Sequence, residues 1–375
     1  MGIDLNDLRR YAVARSLFAP TTLKGALGKM GFVQADPIRA PARAQDLTLR
    51  HRVKNYRAGD LERRYTALGI AEDFFVNYGF VTAELQALMH PRSAVARWSP
   101  TRKAQAQALL EFVRERGSVH PREVDAHFAH GTVKNYWGGS SSATTHLLDG
   151  MHYRGLLRVA RRKGGIRLYS AHEHAAAPLT TAVRRVRIDQ LVDVIVRVYA
   201  PLPATSLSGL ISRLRYAVPQ WRQGLKSAVL RARQRLAHAR IDDVDWYWPP
   251  DEEPASLHPQ SNVRFLAPFD PVVWDRRRFE ILWKWAYRFE AYTPAQKRKL
   301  GYYALPLLWR DQIIGWGNFA VSNGALRHEI GYVASSSPRE RSFKRELDAE
   351  LSRMHEFLAI ASTGNATTDI ARPLS

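Results

Sequence analysis

The stretch from Thr101 to Tyr169 limits the fold of this chain most tightly. Thr101–Gly117 places Ala108, Leu109, Phe112 and Val113 at helical spacing, so one face of a helix is apolar. Ser118–Phe128 reads as a short second helix opened by Ser118 and Pro121. After a glycine-containing loop at Lys134–Gly139, Ser140-Ser141-Ser142 caps a third helix that runs to Arg154 and turns Leu147, Leu148 and Met151 inward. Two strand-like runs follow, Leu156–Ala160 and Ile166–Tyr169, joined by Arg161-Arg162-Lys163-Gly164-Gly165. Three helices and then a basic two-stranded hairpin form the winged variant of the helix-turn-helix. Such a module either holds nucleic acid or serves only for protein contact, and an Arg-Arg-Lys wing tip favours the first use.

Charge points the same way. The 375 residues carry 56 Lys and Arg against 35 Asp and Glu, a formal +21. Such a chain attracts polyanions, because each neutralised phosphate releases condensed counterions. There is no cysteine, which excludes disulfides, thiolate zinc sites, iron–sulfur clusters and a cysteine nucleophile together. The N-terminus has the charge pattern of an amphipathic stretch rather than a secretory signal, and no apolar run reaches membrane-spanning length, so a cytoplasmic, nucleoid-associated protein is expected. His120, His127 and His130 lie close in sequence but lack acidic or thiolate partners, so no metal and no other cofactor is expected.

The helical scheme recurs on either side of this module. Asp4 to Tyr56 reads as helix, helix capped by Thr21, the short strand Phe32-Val33, then helix. Ile188–Tyr199 is amphipathic; Pro201 and Pro203 break it; Thr205 caps a helix bearing Leu207, Leu210, Ile211 and Leu214; and Gln223–Arg240 reads as a further, arginine-studded helix. Asp242 to Pro254 mixes acids with prolines and reads as a domain junction. Beyond it lie the strands Val263–Leu266, Ala304–Leu308, Gln312–Val321 and Leu326–Val333, with an Asn323-Gly324 turn. A last helix opens with a Ser337/Glu340 capping box. The expected organisation is α+β: winged-helix modules over 1–98, 99–178 and 179–254, a β-rich domain over 255–361 and a disordered tail over 362–375.

The candidate chemistry sits at Gln34-Ala35-Asp36-Pro37, directly after the Phe32-Val33 strand. Alternation puts Gln34 and Asp36 on one side, where an amide and a carboxylate can hold one water between them. The plainer reading is that Asp36 caps a helix starting at Pro37. Arg39, Arg43, Arg50 and Arg52 surround this segment as candidate phosphate ligands. Further candidates are Ser140, Ser141, Thr144 and Thr145 at the third helix start, Arg161, Arg162 and Lys163 on the wing, and Arg276. Lys297-Arg298-Lys299 beside Tyr302-Tyr303 offers charge next to aromatic surface, although the tyrosines suit a β core equally well.

Val33-Gln34-Ala35-Asp36 with Ala42-Arg43-Ala44 and Leu47-Thr48-Leu49 resembles the signature of the AlkZ/YcaQ winged-helix DNA glycosylases. So do Ala267-Pro268-Phe269-Asp270-Pro271-Val272-Val273-Trp274-Asp275-Arg276, Tyr287–Tyr292, Pro294–Lys299 and Gly301–Pro306. The resemblance runs from residue 4 to about 360. It implies three tandem winged helices and a β-rich part around a concave DNA channel. It also implies monofunctional, water-using excision of alkylated purines such as N7-alkylguanine, including unhooking of interstrand crosslinks. Gln34 and Asp36 then match the carboxylate-bearing, YcaQ-type form of the catalytic pair. Ala35 is smaller than the usual middle residue, and Gln45-Asp46 stands where relatives commonly carry histidines. The partner implied is damaged double-stranded DNA, bound by a monomer. A non-catalytic winged-helix regulator would need the basic modules without the amide–carboxylate pair. A nuclease lacks a carboxylate cluster for magnesium.

Overall fold

The computed structural model describes residues 2–93, 97–134, 139–172, 179–334, 336–360 and 368–369. Helix and strand are both well represented, in keeping with the expected α+β class. The chain divides into two units. One comprises Met1–Leu61, Asp193–Gly209 and Ala232–Ser375, the other Glu62–Val192 and Leu210–Arg231. Among the described residues no helix is long and apolar enough to cross a membrane.

The first unit opens with the helix Leu5–Ser16, started by a reciprocal Asp4/Asp7 capping box. The helix Leu23–Met30 is capped by Thr22, one residue after the Thr21 expected. The Thr21 backbone instead exchanges hydrogen bonds with Arg52 and Lys54, so it is committed to the neighbouring segment. The strand Phe32–Gln34 follows, fully buried. No helix begins at Pro37; the next is Ala44–Leu49, all six residues of which are buried.

The helix expected over Gln223–Arg240 runs only from Leu225 to Arg235. Ala237–Ile241 then pairs antiparallel with Val244–Trp248, which also pairs with Leu202–Pro203. Asp242 and Asp243, at φ 47° and 60°, make the two-residue turn. Aspartate tolerates the left-handed conformation such turns require, and the buried Trp246-Tyr247-Trp248 run prefers a strand, so these acids mark a hairpin rather than a linker.

A five-stranded sheet follows, ordered Val263–Phe265, Leu305–Trp309, Gln312–Ser322, Ala325–Tyr332 and Thr368–Asp369. The first four strands are antiparallel neighbours; the last is parallel to its neighbour. Asn323 and Gly324, both at positive φ, form the expected tight turn. The rest of the expected tail, 362–367 and 370–375, lies outside the described residues. The helix Arg341–Leu358 buries Phe343, Leu351 and Met354. Its expected Ser337/Glu340 capping box is not formed: Glu340 is the N-cap but its carboxylate accepts no helix backbone N–H, taking Arg310 at 2.8 Å and the Ser342 hydroxyl at 3.3 Å instead.

In the second unit, Pro100–Arg116, Pro121–Phe128 and Ala143–Tyr153 are helices, and Leu157–Lys163 pairs with Ile166–Ala171. His120 caps the middle helix and Ser142 the third. Thr132–Lys134 pairs with Ser140–Ser142, so the expected serine cap lies in a strand and Ser142 alone also caps the third helix; 135–138, within the expected loop, lie outside the described residues. Leu109, Val113, Val119, Val124, Leu148 and Met151 share one sealed core beneath the hairpin. The earlier hairpin Ile70–Phe74/Tyr78–Thr82 carries buried Glu72, which Arg162 grips through two bonds of 2.6 and 2.7 Å.

Within the first unit, Arg52 is fully buried. Its Nη1 and Nη2 donate to the two oxygens of Asp270 at 2.7 and 3.0 Å, and it also donates to the Ser16 and Thr48 carbonyls. Removing one partner of such a pair strands a charge in the interior, typically at a cost of about 3–5 kcal/mol. Asp270→Ala is therefore expected to lower the unfolding free energy by roughly that amount, read from urea denaturation. A loss under about 1 kcal/mol would show that the pair is not a stabilising tie.

Candidate active site

Gln34 ends the buried strand Phe32–Gln34, and Asp36 lies two residues on, outside the strand and only part-buried. The Asp36 Oδ1 accepts the Ile38 N–H at 2.9 Å. That bond closes a local turn and leaves Oδ2 for other work, so Asp36 shapes the chain without capping a helix. The Asp36 N–H points to Gln45 Oε1 at 3.4 Å. Gln45 is buried on the helix Ala44–Leu49, which thus backs the Gln34–Asp36 segment. Asp46 beside it accepts from the Tyr56 hydroxyl at 2.7 Å and the Gly59 N–H at 3.0 Å.

Two buried polar atoms in this region have no hydrogen-bond partner: Gln34 Oε1 and the Tyr303 hydroxyl. Buried polar atoms are normally satisfied, so these two are available to hydrogen-bond a water or ligand. Burial lifts the Asp36 carboxyl above its ordinary range, and the Ile38 N–H offsets this only in part. Burial also raises Tyr292 and Tyr303, and the Asp36 charge reinforces both shifts, so carboxylate and phenols share one electrostatic neighbourhood.

The aromatic side of the site is built by one carboxylate. Glu290 accepts the backbone N–H groups of Lys299, Leu300 and Gly301, at distances of 2.8–3.3 Å. Gly301 sits at φ 115°, and a Cβ there would lie 2.5 Å from the Asn318 amide oxygen, so both backbone and space demand glycine. Asn318 in turn donates to the Leu300 carbonyl at 2.7 Å. The fixed loop delivers Tyr302 and Tyr303. Tyr303 meets Phe289 edge-on at 5.2 Å, and Phe289 also meets Tyr292, which is 70% exposed.

The other expected DNA ligands separate by burial. Arg39, Lys297 and Lys299 are exposed; Arg298 lies over the Tyr302 ring at 5.0 Å, and Arg43 is part-buried. In the second unit Ser140, Thr145, Arg161 and Lys163 are exposed, with Ser142 accepting the Thr145 N–H. Of Ser141 only the backbone is described. Arg52 has no surface to offer a phosphate, and Thr144 is fully buried, its hydroxyl 3.4 Å from His130. Arg50 is engaged by Glu350, Arg162 by Glu72, and Arg276 is part-buried over the Tyr287 ring at 4.6 Å. The acids that engage Arg50 and Arg162 lie 300 and 90 residues away, which local sequence does not reveal. Gln45, Glu290, Tyr292 and Asn318 were not among the expected site residues. Among the described residues no group of three or more His, Asp or Glu could hold a metal.

An unsatisfied amide beside a carboxylate of raised proton affinity, with a tyrosine-rich wall, is a site suited to activating water. The chain belongs to the AlkZ-like DNA glycosylase family, whose profile matches residues 27–357. Its fold is similar to that of the Streptomyces sahachiroi DNA glycosylase AlkZ, with a TM-score of 0.61 over 96% of this chain and 98% of that one, at 12% identity.

Native Asp36 holds its proton more tightly than an unfolded aspartate does. The cost of ionising it therefore appears as pH rises from the unfolded value through the native one, and is complete above both. Asp36→Asn should consequently melt at the same temperature as wild type or higher at pH 7, with the gap closing below pH 4. A clear loss of melting temperature at neutral pH would mean that the ionised carboxylate supports the fold.

Proposed function

We propose that this protein excises alkylated purines, N7-alkylguanine in particular, from double-stranded DNA by a monofunctional mechanism in which Asp36 and Gln34 activate water. The observation that carries this reading is the pairing of a part-buried carboxylate with an unsatisfied amide oxygen on one short segment. Alkylation at N7 makes the purine cationic, so the base leaves without strong acid assistance. Positive charge then builds on the sugar, as in glycoside hydrolysis. A carboxylate near the anomeric carbon stabilises that charge and takes a proton from the attacking water. Gln34 accepts a hydrogen bond from the same water and orients it. No lysine takes part, so no covalent Schiff base forms. The exposed Tyr292 offers a stacking face for a base that cannot be fully extruded because a crosslink ties it to the other strand, which extends the proposal to unhooking.

The helix order of 100–171 and that of 181–248, each closing on a hairpin, support reading these segments as winged-helix modules that carry duplex DNA. Arg161 and Lys163, exposed at the first hairpin's tip, are assigned to phosphates. The double substitution Arg161→Ala with Lys163→Ala should weaken duplex binding uniformly across sequences and reduce the slope of log affinity against log salt by about 2. An unchanged slope would remove this hairpin from the interface.

The enzymatic reading is tested on duplexes carrying a single N7-methylguanine or a mustard crosslink. Wild type should release the base and unhook the crosslink, while Asp36→Asn should bind normally and lose about 10²–10⁴-fold in rate. The acid limb of the wild-type rate should lie above the ordinary aspartate range, because the base must be ionised and its proton affinity is raised. Borohydride should trap no adduct. Release of neither lesion by wild type would favour the non-catalytic DNA-binding regulator, and full activity in Asp36→Asn would remove the role given to Asp36.

A further inference from the structure

A second cavity in the first unit, formed by residues other than Gln34 and Asp36, is lined mainly by cations. Its volume is about 520 Å³, and Arg50, Lys54, Arg57, Arg264 and Arg353 line it against a single carboxylate, Glu356. That volume falls within the ~300–1,000 Å³ usual for small-ligand sites. His51 also lines it, but burial and the charges of Arg50 and Arg264 hold that ring neutral.

The cations are only partly matched by the protein. Glu350 engages Arg50 and, at 3.0 Å, Arg353. Arg50 bonds through Nη2 alone, and its buried Nε has no partner. Arg264 is buried and bonds only neutral oxygens, Gln260 Oε1 at 2.9 Å and the His51 carbonyl at 3.5 Å. Burial and its cationic neighbours, Arg52, Arg353 and Arg50, push its guanidinium down to about 10 against the pull of Glu350. Lys54 and Arg57 are exposed at the cavity, where Arg57 donates to the Glu356 backbone carbonyl. A cluster of one sign with a buried, unneutralised guanidinium is destabilised until an anion enters.

We propose that this cavity is an anion site for a phosphate-bearing ligand. The guanidinium forks of Arg264 and Arg353 suit phosphate oxygens, and Lys54 and Arg57 supply charge at the exposed side. Two sources share this chemistry: the backbone of a bound DNA strand, and a free phosphate compound of up to nucleotide size. The site does not depend on the role assigned to Asp36.

The test uses full-length protein, inorganic pyrophosphate followed by calorimetry at fixed ionic strength, and an undamaged duplex followed by fluorescence anisotropy. Lys54→Glu with Arg57→Glu reverses two exposed cations and spares the buried ones, and circular dichroism checks the fold. Lys344→Glu with Arg345→Glu, on exposed residues of the Arg341–Leu358 helix, is the charge-matched control. If a free phosphate is the ligand, pyrophosphate binds wild type and the control alike and at least about tenfold more weakly to the cavity variant. If DNA is the source, duplex affinity falls about tenfold further in the cavity variant than in the control, with a shallower salt dependence. Equal duplex losses in the two variants, with pyrophosphate either not bound or bound regardless of the cavity substitutions, would overturn the proposal.

Discussion

Arg52 and Asp270 hold the first unit's two halves of sequence together. The guanidinium of Arg52 meets the carbonyl that ends the first helix, the carbonyl of Thr48 and both oxygens of Asp270, and Asp270 also accepts the Val272 N–H. One planar group thus ties the segment following Gln34 and Asp36 to the turn that follows the first strand of the five-stranded sheet. An arginine suits this position because its fork fits a carboxylate and two carbonyls at once, which a lysine could not match.

The same tie shows what sequence reasoning reaches and where it stops. The helices and the basic hairpin of residues 100–171 follow from periodicity, capping residues and glycines, all of them local signals. The Gln34–Asp36 segment is singled out by resemblance to the family rather than by its spacing, which favours Asp36 as a helix cap; the structure shows instead that Asp36 closes a turn with Ile38. Arg50 and Arg52 read as surface cations because their acidic partners lie 300 and 218 residues away. The hairpin at 237–248 was hidden by its acids, which resemble a linker until their positive φ values show a turn. Glu290 gave no signal, since its partners are backbone amides and leave no trace in side-chain pattern.

Net charge therefore overstates the cationic surface. Arg52, Arg92, Arg162 and Arg278 are spent inside the protein on carboxylates or carbonyls. Exposed cations remain at the hairpin tip (Arg161, Lys163), on the Lys297–Lys299 loop and at the cavity beside Lys54 and Arg57, as well as at positions such as Arg184, Arg185, Lys344 and Arg345.

The Glu290 carboxylate has a consequence for how the Lys297–Lys299 loop can meet a nucleic acid. Three successive amides converging on one point are the usual means by which a backbone grips a phosphate. Here that grip is already closed on the protein's own acid. The loop otherwise offers the exposed Lys297 and Lys299 ammonium groups, Arg298 being held over Tyr302 and bonded to the Thr293 carbonyl, rather than a shaped backbone cradle. If the proposed DNA partner passes this loop, contact there would be governed by ion atmosphere rather than by fit, and would not fix the strand's register.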